Sequence, residues 1–236
     1  MSKRAVILAG GRGSRLRPYT VVLPKPLMPI GDFPILEVII RQLAHYGFSH
    51  ITLAVSHQSE IIKAFFSDGS RWNTCIDYSS EDKPLSTIAP LKLINDLPEH
   101  FLLLNGDVLT DLDFGSFHDR HVKEDRPFTI AAYKRTNQVD YGILQVDEKG
   151  HLSGFEEKPT HTYIVSMGIY MVSRRILTHV PENQFYGFDD LMADLLKIRE
   201  TVWVEKMDNY WLDIGRPDDY MRAVDEFEKL KHKFLL

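Results

Sequence analysis

Between Arg4 and Leu104, four short strand-like runs alternate with segments of helical spacing. The runs are Arg4 to Ala9, Ile51 to Val55, Thr74 to Tyr78 and Phe101 to Leu104; the helical segments are Pro34 to Tyr46, Glu60 to Phe66 and Thr87 to Asp96. Near-continuous apolar strands need cover on both faces, and a parallel strand needs a crossover that returns the chain. The pattern therefore predicts an α/β fold with a Rossmann-like doubly wound sheet. Beyond Pro127 the texture changes to successive strand-like runs at Phe128 to Tyr133, Gly142 to Val146, His151 to Phe155 and Thr162 to Val172, with a turn at Glu148-Lys149-Gly150. This half adds antiparallel or mixed strands, so the sheet is predicted to be mixed. A helix near Asp189 to Arg199, a strand at Val202 to Glu205 and an amphipathic helix from Pro217 to about Lys231 close the pattern. No repeat or Gly/Ser linker divides the chain, which reads as one domain of two halves, about 1–125 and about 126–236.

The 236 residues carry a formal charge of -5 and a pI near 6.1. Such a surface does not attract nucleic acid or anionic lipid as a whole, so a bound anion requires a local cluster of cations. No run of 18 apolar residues is present, and MSKRAVILAGG is too short in its apolar part for a secretory signal, which gives a cytoplasmic expectation. Cys75 is the single cysteine, which excludes an intrachain disulfide and a cysteine-based zinc site. Beside apolar Ile76 it is expected in the core. The ten histidines are scattered, with none at a persuasive metal-ligand spacing.

The stretch Leu8-Ala9-Gly10-Gly11-Arg12-Gly13-Ser14-Arg15-Leu16-Arg17-Pro18 follows the first strand directly, at the carboxyl edge where open α/β sheets bind ligands. Three glycines let the backbone approach phosphate oxygens closely, and Arg12, Arg15 and Arg17 supply counter-charge. It is neither a P-loop, since no lysine follows Gly13 in the required place, nor a dinucleotide fingerprint, since Leu16 stands where the third glycine belongs. Lys25 lies between Pro24 and Pro26, which restrict where its ammonium points. Asp107 ends a strand in Asn105-Gly106-Asp107, and Asp213 between Leu212 and Ile214 needs a cationic partner if buried.

In order along the chain, LAGGRGSRLRP, PKPLMPIGDFPILE, LLLNGDVL, FEEKP, SMGIY and WLDIGRPDDY resemble the sugar-1-phosphate nucleotidyltransferase family. The compact layout is most similar to mannose- and heptose-1-phosphate guanylyltransferases. The resemblance implies a magnesium-dependent enzyme that joins a nucleoside triphosphate to a sugar 1-phosphate and releases pyrophosphate. It implies that the first half binds the nucleotide and the second the sugar phosphate. Carried over residue by residue, it gives Leu8, Ala9 and Gly10 to the base, Gly11, Gly13, Ser14 and Arg15 to the triphosphate, and Ser86 and Thr87 to the nucleotide site. Arg15 and Lys25 resemble the catalytic cations, and Asp107 and Asp213 the carboxylates that hold Mg2+. Gly142, Glu157, Lys158 and Ser166 resemble the sugar and sugar-phosphate contacts.

Two departures bear on specificity. Ser86 and Ala89 stand in a segment the family usually fills with glycine, and Ser166 stands where many relatives place asparagine. GTP is the leading nucleotide, with mannose or heptose 1-phosphate as acceptor. UTP, dTTP or CTP, a phosphocholine acceptor, and a non-catalytic nucleotide-sensing subunit are the competing readings. The retention of Lys25, Asp107 and Asp213 speaks against the last. The short chain implies no added β-helix domain, and a homo-oligomer is allowed; neither nucleic acid nor membrane is an expected partner.

Overall fold

The computed structural model describes residues 3–56 and 58–235. Strand β1 (Lys3–Leu8) runs through the middle of the molecule. Successive strand side chains face opposite sides of a sheet, so Ala5 and Ile7 enter one core and Val6 the other. The same alternation sends Leu102 and Leu104 one way and Phe101 and Leu103 the other. Both faces are thereby committed to burial, which is what the near-continuous apolar runs demand.

After β1 come a short hairpin of β2 (Pro29–Ile30) and β3 (Phe33–Pro34), then α1 (Ile35–His45), β4 (Phe48–Val55), α2 (Ser59–Phe66), β5 (Cys75–Ser80) and β6 (His100–Asn105). The second half continues with β7 (Val108–Thr110), α3 (Phe114–Lys123), β8 (Phe128–Gln138), β9 (Ile143–Val146), β10 (Leu152–Glu156) and β11 (Thr160–Ser173). It ends with α4 (Phe188–Lys197), β12 (Val202–Met207), β13 (Trp211–Asp213) and α5 (Pro217–Phe234). The large sheet has the order β12-β8-β11-β6-β1-β4-β5. β4, β5 and β6 are parallel to β1, whereas β11 runs antiparallel to both β6 and β8, and β12 is parallel to β8. The expected mixed, mostly parallel sheet is present.

Helix α1 buries Ile35, Leu36, Val38, Ile39, Ile40 and Leu43 against one face, and α5 adds Phe227 and Phe234 there. The opposite face is closed by Leu191 and Leu195 of α4 with Phe128 and Tyr170. Each such side chain contributes about 1.5–3 kcal/mol of burial.

Two expectations are corrected. The segment Thr87 to Asp96 is not a helix but a short 3-10 turn at Ala89–Leu93. Pro90 disfavours helical backbone at the residue before it, and the N–H groups of Ile88 and Ala89 are taken by the Tyr186 carbonyl at 3.2 and 3.1 Å. Cys75 is exposed rather than in the core. It opens the edge strand β5, and because Ile76 faces inward its immediate neighbour must face out.

Candidate active site

The carboxyl ends of β6, β1, β4 and β5 form one row, with Leu8 paired to both Asn105 and Ala54, and Ala54 to Ser79. The glycine-rich loop leaves β1 at the centre of this row. Its shape is fixed by backbone geometry: Gly13 has φ +58°, and its carbonyl accepts from the Thr20 hydroxyl at 2.7 Å and from the Leu16 N–H at 2.9 Å. Gly10 abuts Ser56, where a Cβ would stand 3.0 Å from the serine Cβ. The loop covers a cavity of about 450 Å³.

Leu8, Ala9, Gly10, Gly11, Gly13, Ser14, Arg15, Lys25, Ser86, Thr87 and Asp107 all line that cavity. Eleven residues separated by up to 99 positions thus converge on one space. Ser86 has φ +72°, so the backbone here keeps a glycine-like conformation although a serine occupies it.

Lys25 is delivered by a 3-10 turn, Lys25–Leu27, that begins after Pro24. Its ammonium donates to Asp107 Oδ2. The two side chains are 11 % and 19 % exposed, largely out of water, so each depends on the other for charge compensation. Asp107 Oδ1, by contrast, is buried without a hydrogen-bond partner.

Asp213 is brought alongside by a pairing that links distant segments. β13 runs antiparallel to β7 with Asp213 opposite Val108, and the Ile214 N–H donates to the Asp107 carbonyl at 3.0 Å. Burial, followed by the Asp107 charge, raises the Asp213 carboxyl above its ordinary range, and Lys25 and Arg15 oppose the rise. Arg15 is close by: a Cβ on Gly215 would lie 3.4 Å from its Nη2 and 3.1 Å from Asp213 Oδ2. Two neighbouring carboxylates that repel each other, one with an unsatisfied buried oxygen, suit a hard divalent cation such as Mg2+. The residues present fit that ion.

The expected sugar contacts do not line this cavity. Gly142 and Glu157 stand together at the base of the β9–β10 hairpin, where a Cβ on Gly142 would lie 2.7 Å from the Phe155 ring and 3.0 Å from Glu157 Oε2. Lys158 is exposed with φ +44°. The Ser166 hydroxyl donates to the Tyr170 hydroxyl at 3.0 Å and accepts from the Gly168 N–H at 3.1 Å. Asp213 lines a second, polar cleft of about 390 Å³, together with Tyr133, Lys134, Arg135, Trp211 and Arg222. Glu81, Asn105 and Phe185 line the first cavity and are absent from the sequence expectation. Glu81 carried a signal, since it follows β5 just as Asp107 follows β6; Phe185 carried none.

Away from this site, His50, Asp77 and Asp96 bring ligand atoms within 4.8 Å of one another, a proximity their sequence spacing does not announce. Buried Arg4 donates to both carboxylates there, at 3.1 and 3.2 Å, and so already offsets part of their charge. Among the described residues no helix is long and apolar enough to cross a membrane.

Fold and site together define an α/β protein with a cavity under a glycine-rich loop, beside a carboxylate pair. The chain belongs to the nucleotidyl transferase family, whose sequence profile matches residues 4–229. It is 33% identical to D-glycero-alpha-D-manno-heptose 1-phosphate guanylyltransferase of Campylobacter jejuni, over 92% of this chain and 96% of that protein. It is 32% identical to UTP–glucose-1-phosphate uridylyltransferase of Synechocystis sp., over 94% of this chain; it spans 62% of that longer protein. Among solved structures, HddC from Yersinia pseudotuberculosis superposes with a TM-score of 0.74 at 28% identity, covering 95% of this chain and 99% of the other. The same protein complexed with GMP-PN gives a TM-score of 0.72.

Proposed function

We propose that this chain transfers a guanylyl group from GTP to the 1-phosphate of mannose or of a manno-configured heptose, releasing pyrophosphate. The observation that carries the reading is the cluster of Arg15, Lys25, Asp107 and Asp213 beside the glycine-rich loop. Support for guanine comes from the Campylobacter relative, which this chain matches over nearly its whole length, and from the GMP-PN complex of HddC.

The chemistry asks little covalent work of the protein. A sugar 1-phosphate has a second pKa of roughly 6, so its attacking oxygen is already ionised near neutral pH and no general base is needed. Attack on the α-phosphorus, with pyrophosphate leaving in line, brings two polyanions together. Arg15 and Lys25 offset that repulsion, and the loop N–H groups hold the triphosphate in register. Asp107 and Asp213 would hold Mg2+, which supplies charge neutralisation at the phosphates. Lys25, which pairs with Asp107 in the described structure, would face a phosphate oxygen of the bound nucleotide. Lys158, with Gly142 and Glu157 beside the β9–β10 hairpin, would meet the acceptor sugar and its phosphate.

A second reading, UTP with glucose 1-phosphate, is favoured by the similarity to the Synechocystis enzyme. Pyrophosphate release with magnesium, across GTP, UTP, dTTP, CTP and ATP against mannose, heptose, glucose and N-acetylglucosamine 1-phosphates, tests both. Turnover with GTP and a manno-configured acceptor is expected. Turnover confined to UTP and glucose 1-phosphate selects the second reading, and silence across the grid with nucleotide binding intact contradicts both.

A further inference from the structure

Strands β8 and β11 stay paired beyond the large sheet. β12 accompanies β8 only as far as Tyr133, and β6 accompanies β11 only from Ile169 onward, whereas β8 and β11 pair with each other out to Gln138 and Thr160. The β9–β10 hairpin joins them at the far end. Residues 134–166 therefore form an arm that is two strands wide, and such ribbons are marginal in water unless a face is packed.

The arm leaves its apolar side chains in the open. Of the twenty large apolar side chains exposed among the described residues, seven lie between Tyr141 and Ile164. Four of these share one face of the hairpin. Val146 pairs with Leu152 and Leu144 with Phe155, and side chains that are opposite each other, or two apart along a strand, point the same way. All four are 59–66 % exposed, and no charged side chain stands between them. The stripe ends at the proposed acceptor residues: Gly142 lies two positions before Leu144, and a Cβ on it would approach both the Phe155 ring and Glu157 Oε2. Gly142 and Glu157 thus look out from the same face.

We infer that this face of the β9–β10 hairpin packs against the same face of a second copy of the chain, so that the acceptor site is closed at the interface between two chains. The closure of the site rests on the reading that Gly142 and Glu157 meet the sugar; the pairing of the chains does not. The extent of the surface argues for a second copy. Four side chains exposed to this degree present on the order of 400 Å² of apolar surface, the size at which a patch marks an interaction site. With about 57 % of an interface apolar, that stripe belongs to an interface of roughly 700 Å² per chain, close to the standard size of a stable pair. A twofold contact uses one patch on both chains and so covers both stripes at once. A charged partner finds no counter-charge on the stripe.

The test is sedimentation equilibrium over micromolar concentrations, together with steady-state kinetics, on the wild type and on a variant carrying Val146→Asp with Leu152→Lys. Both positions are exposed, and the opposite charges still pair across the hairpin, so the arm keeps its shape. The wild type is expected at twice the 27.3 kDa of one chain. The variant is expected as a single chain with an unchanged circular dichroism spectrum, an acceptor KM raised about tenfold or more, and an unchanged KM for the nucleotide. A wild type that is monomeric at every concentration overturns the inference, and flotation of that monomer with phosphatidylcholine vesicles gives the stripe to lipid. A folded variant that stays dimeric places the interface elsewhere and overturns it as well. A monomeric variant with the wild-type acceptor KM overturns the closure of the site and keeps the pairing. Sedimentation needs no substrate, so a protein inactive with every nucleotide and sugar phosphate counts against the proposed function and not against the pairing.

Discussion

Lys25 and Asp107, 82 residues apart in sequence, meet as an ion pair at the mouth of the glycine-rich loop. The pair leaves Asp107 Oδ1 buried and unsatisfied while Asp213 stands beside it with a raised pKa. Asp107 Oδ1 is thus left without a partner among the described residues, next to a second carboxylate. The arrangement matches a site in which the lysine waits on a polyphosphate and the carboxylates on a cation.

Replacement of either member of the pair should remove most turnover. Lys25→Ala or Asp107→Ala is expected to lower kcat/KM by about 100-fold or more, the scale of losing one preorganised electrostatic group. Lys25→Ala also strands two carboxylates, and a loss of about 2 kcal/mol is expected, less than for a fully buried pair because both side chains retain some solvent. Steady-state pyrophosphate release and thermal unfolding check the two parts, and near-normal turnover in either variant contradicts the site.

The loop's geometry gives a second prediction. A Cβ at Gly13 would meet Thr20 Cγ2 at 2.9 Å on a backbone already at φ +58°. Gly13→Ala is expected to cost about 1–2 kcal/mol, lowering the melting temperature by about 2–8 °C. Its kinetic effect should fall on the KM for nucleotide, because the loop is displaced from the triphosphate while Lys25 and Asp107 stay. A rise confined to the acceptor KM would contradict that placement.

The acceptor half is tested at Gly142. A methyl there has to displace the Phe155 ring and crowds the Glu157 carboxylate. If these residues meet the sugar, Gly142→Ala should raise the acceptor KM by about tenfold and leave the KM for GTP unchanged. Equal effects on both would place the hairpin's influence elsewhere.

A stability prediction comes from His121, which is fully buried. Its ring nitrogens face the Thr129 hydroxyl at 2.9 Å and His100 Nδ1 at 3.1 Å. Burial, reinforced by His100 and Arg126, pushes its pKa down to about 3 from 6.5. The folded protein therefore keeps His121 neutral where the unfolded chain takes up a proton. The stability this contributes is complete above about pH 6.5 and is lost as pH falls toward 3, at about 1.4 kcal/mol per pH unit. In denaturant titrations between pH 4 and 7, His121→Gln is expected to flatten the slope by about one proton. Parallel curves for the two proteins would contradict the assignment.

Much of the site was open to reading because its residues obey a local rule. Gly10 to Arg15 and Asp107 follow strands directly, and strand ends in such sheets face the ligand side. Lys25 is fixed by its flanking prolines. The β7–β13 pairing was not open to reading: each strand has three residues, too few for a period, and their partners lie about a hundred positions apart. Hence Asp213 could be singled out only by resemblance and by the cost of burying it alone. The turn at Ala89–Leu93 defeats the helical spacing of its segment because Tyr186 captures the N–H groups and Pro90 opposes the helix. Helix α3, by contrast, carries a local signal that the expectation omits, with Asp113 capping the Ser116 N–H at 2.8 Å ahead of apolar Phe114 and Phe117.

The central claim is that the acceptor phosphate attacks the α-phosphorus. The direct measurement is the fate of label from GTP carrying 32P at the α or at the γ position, incubated with magnesium and mannose or heptose 1-phosphate. The account predicts α-label in a sugar nucleotide and γ-label in pyrophosphate, in equal amounts. Appearance of γ-label as orthophosphate, with α-label left in GDP, would mean cleavage at the other end of the triphosphate and would contradict it.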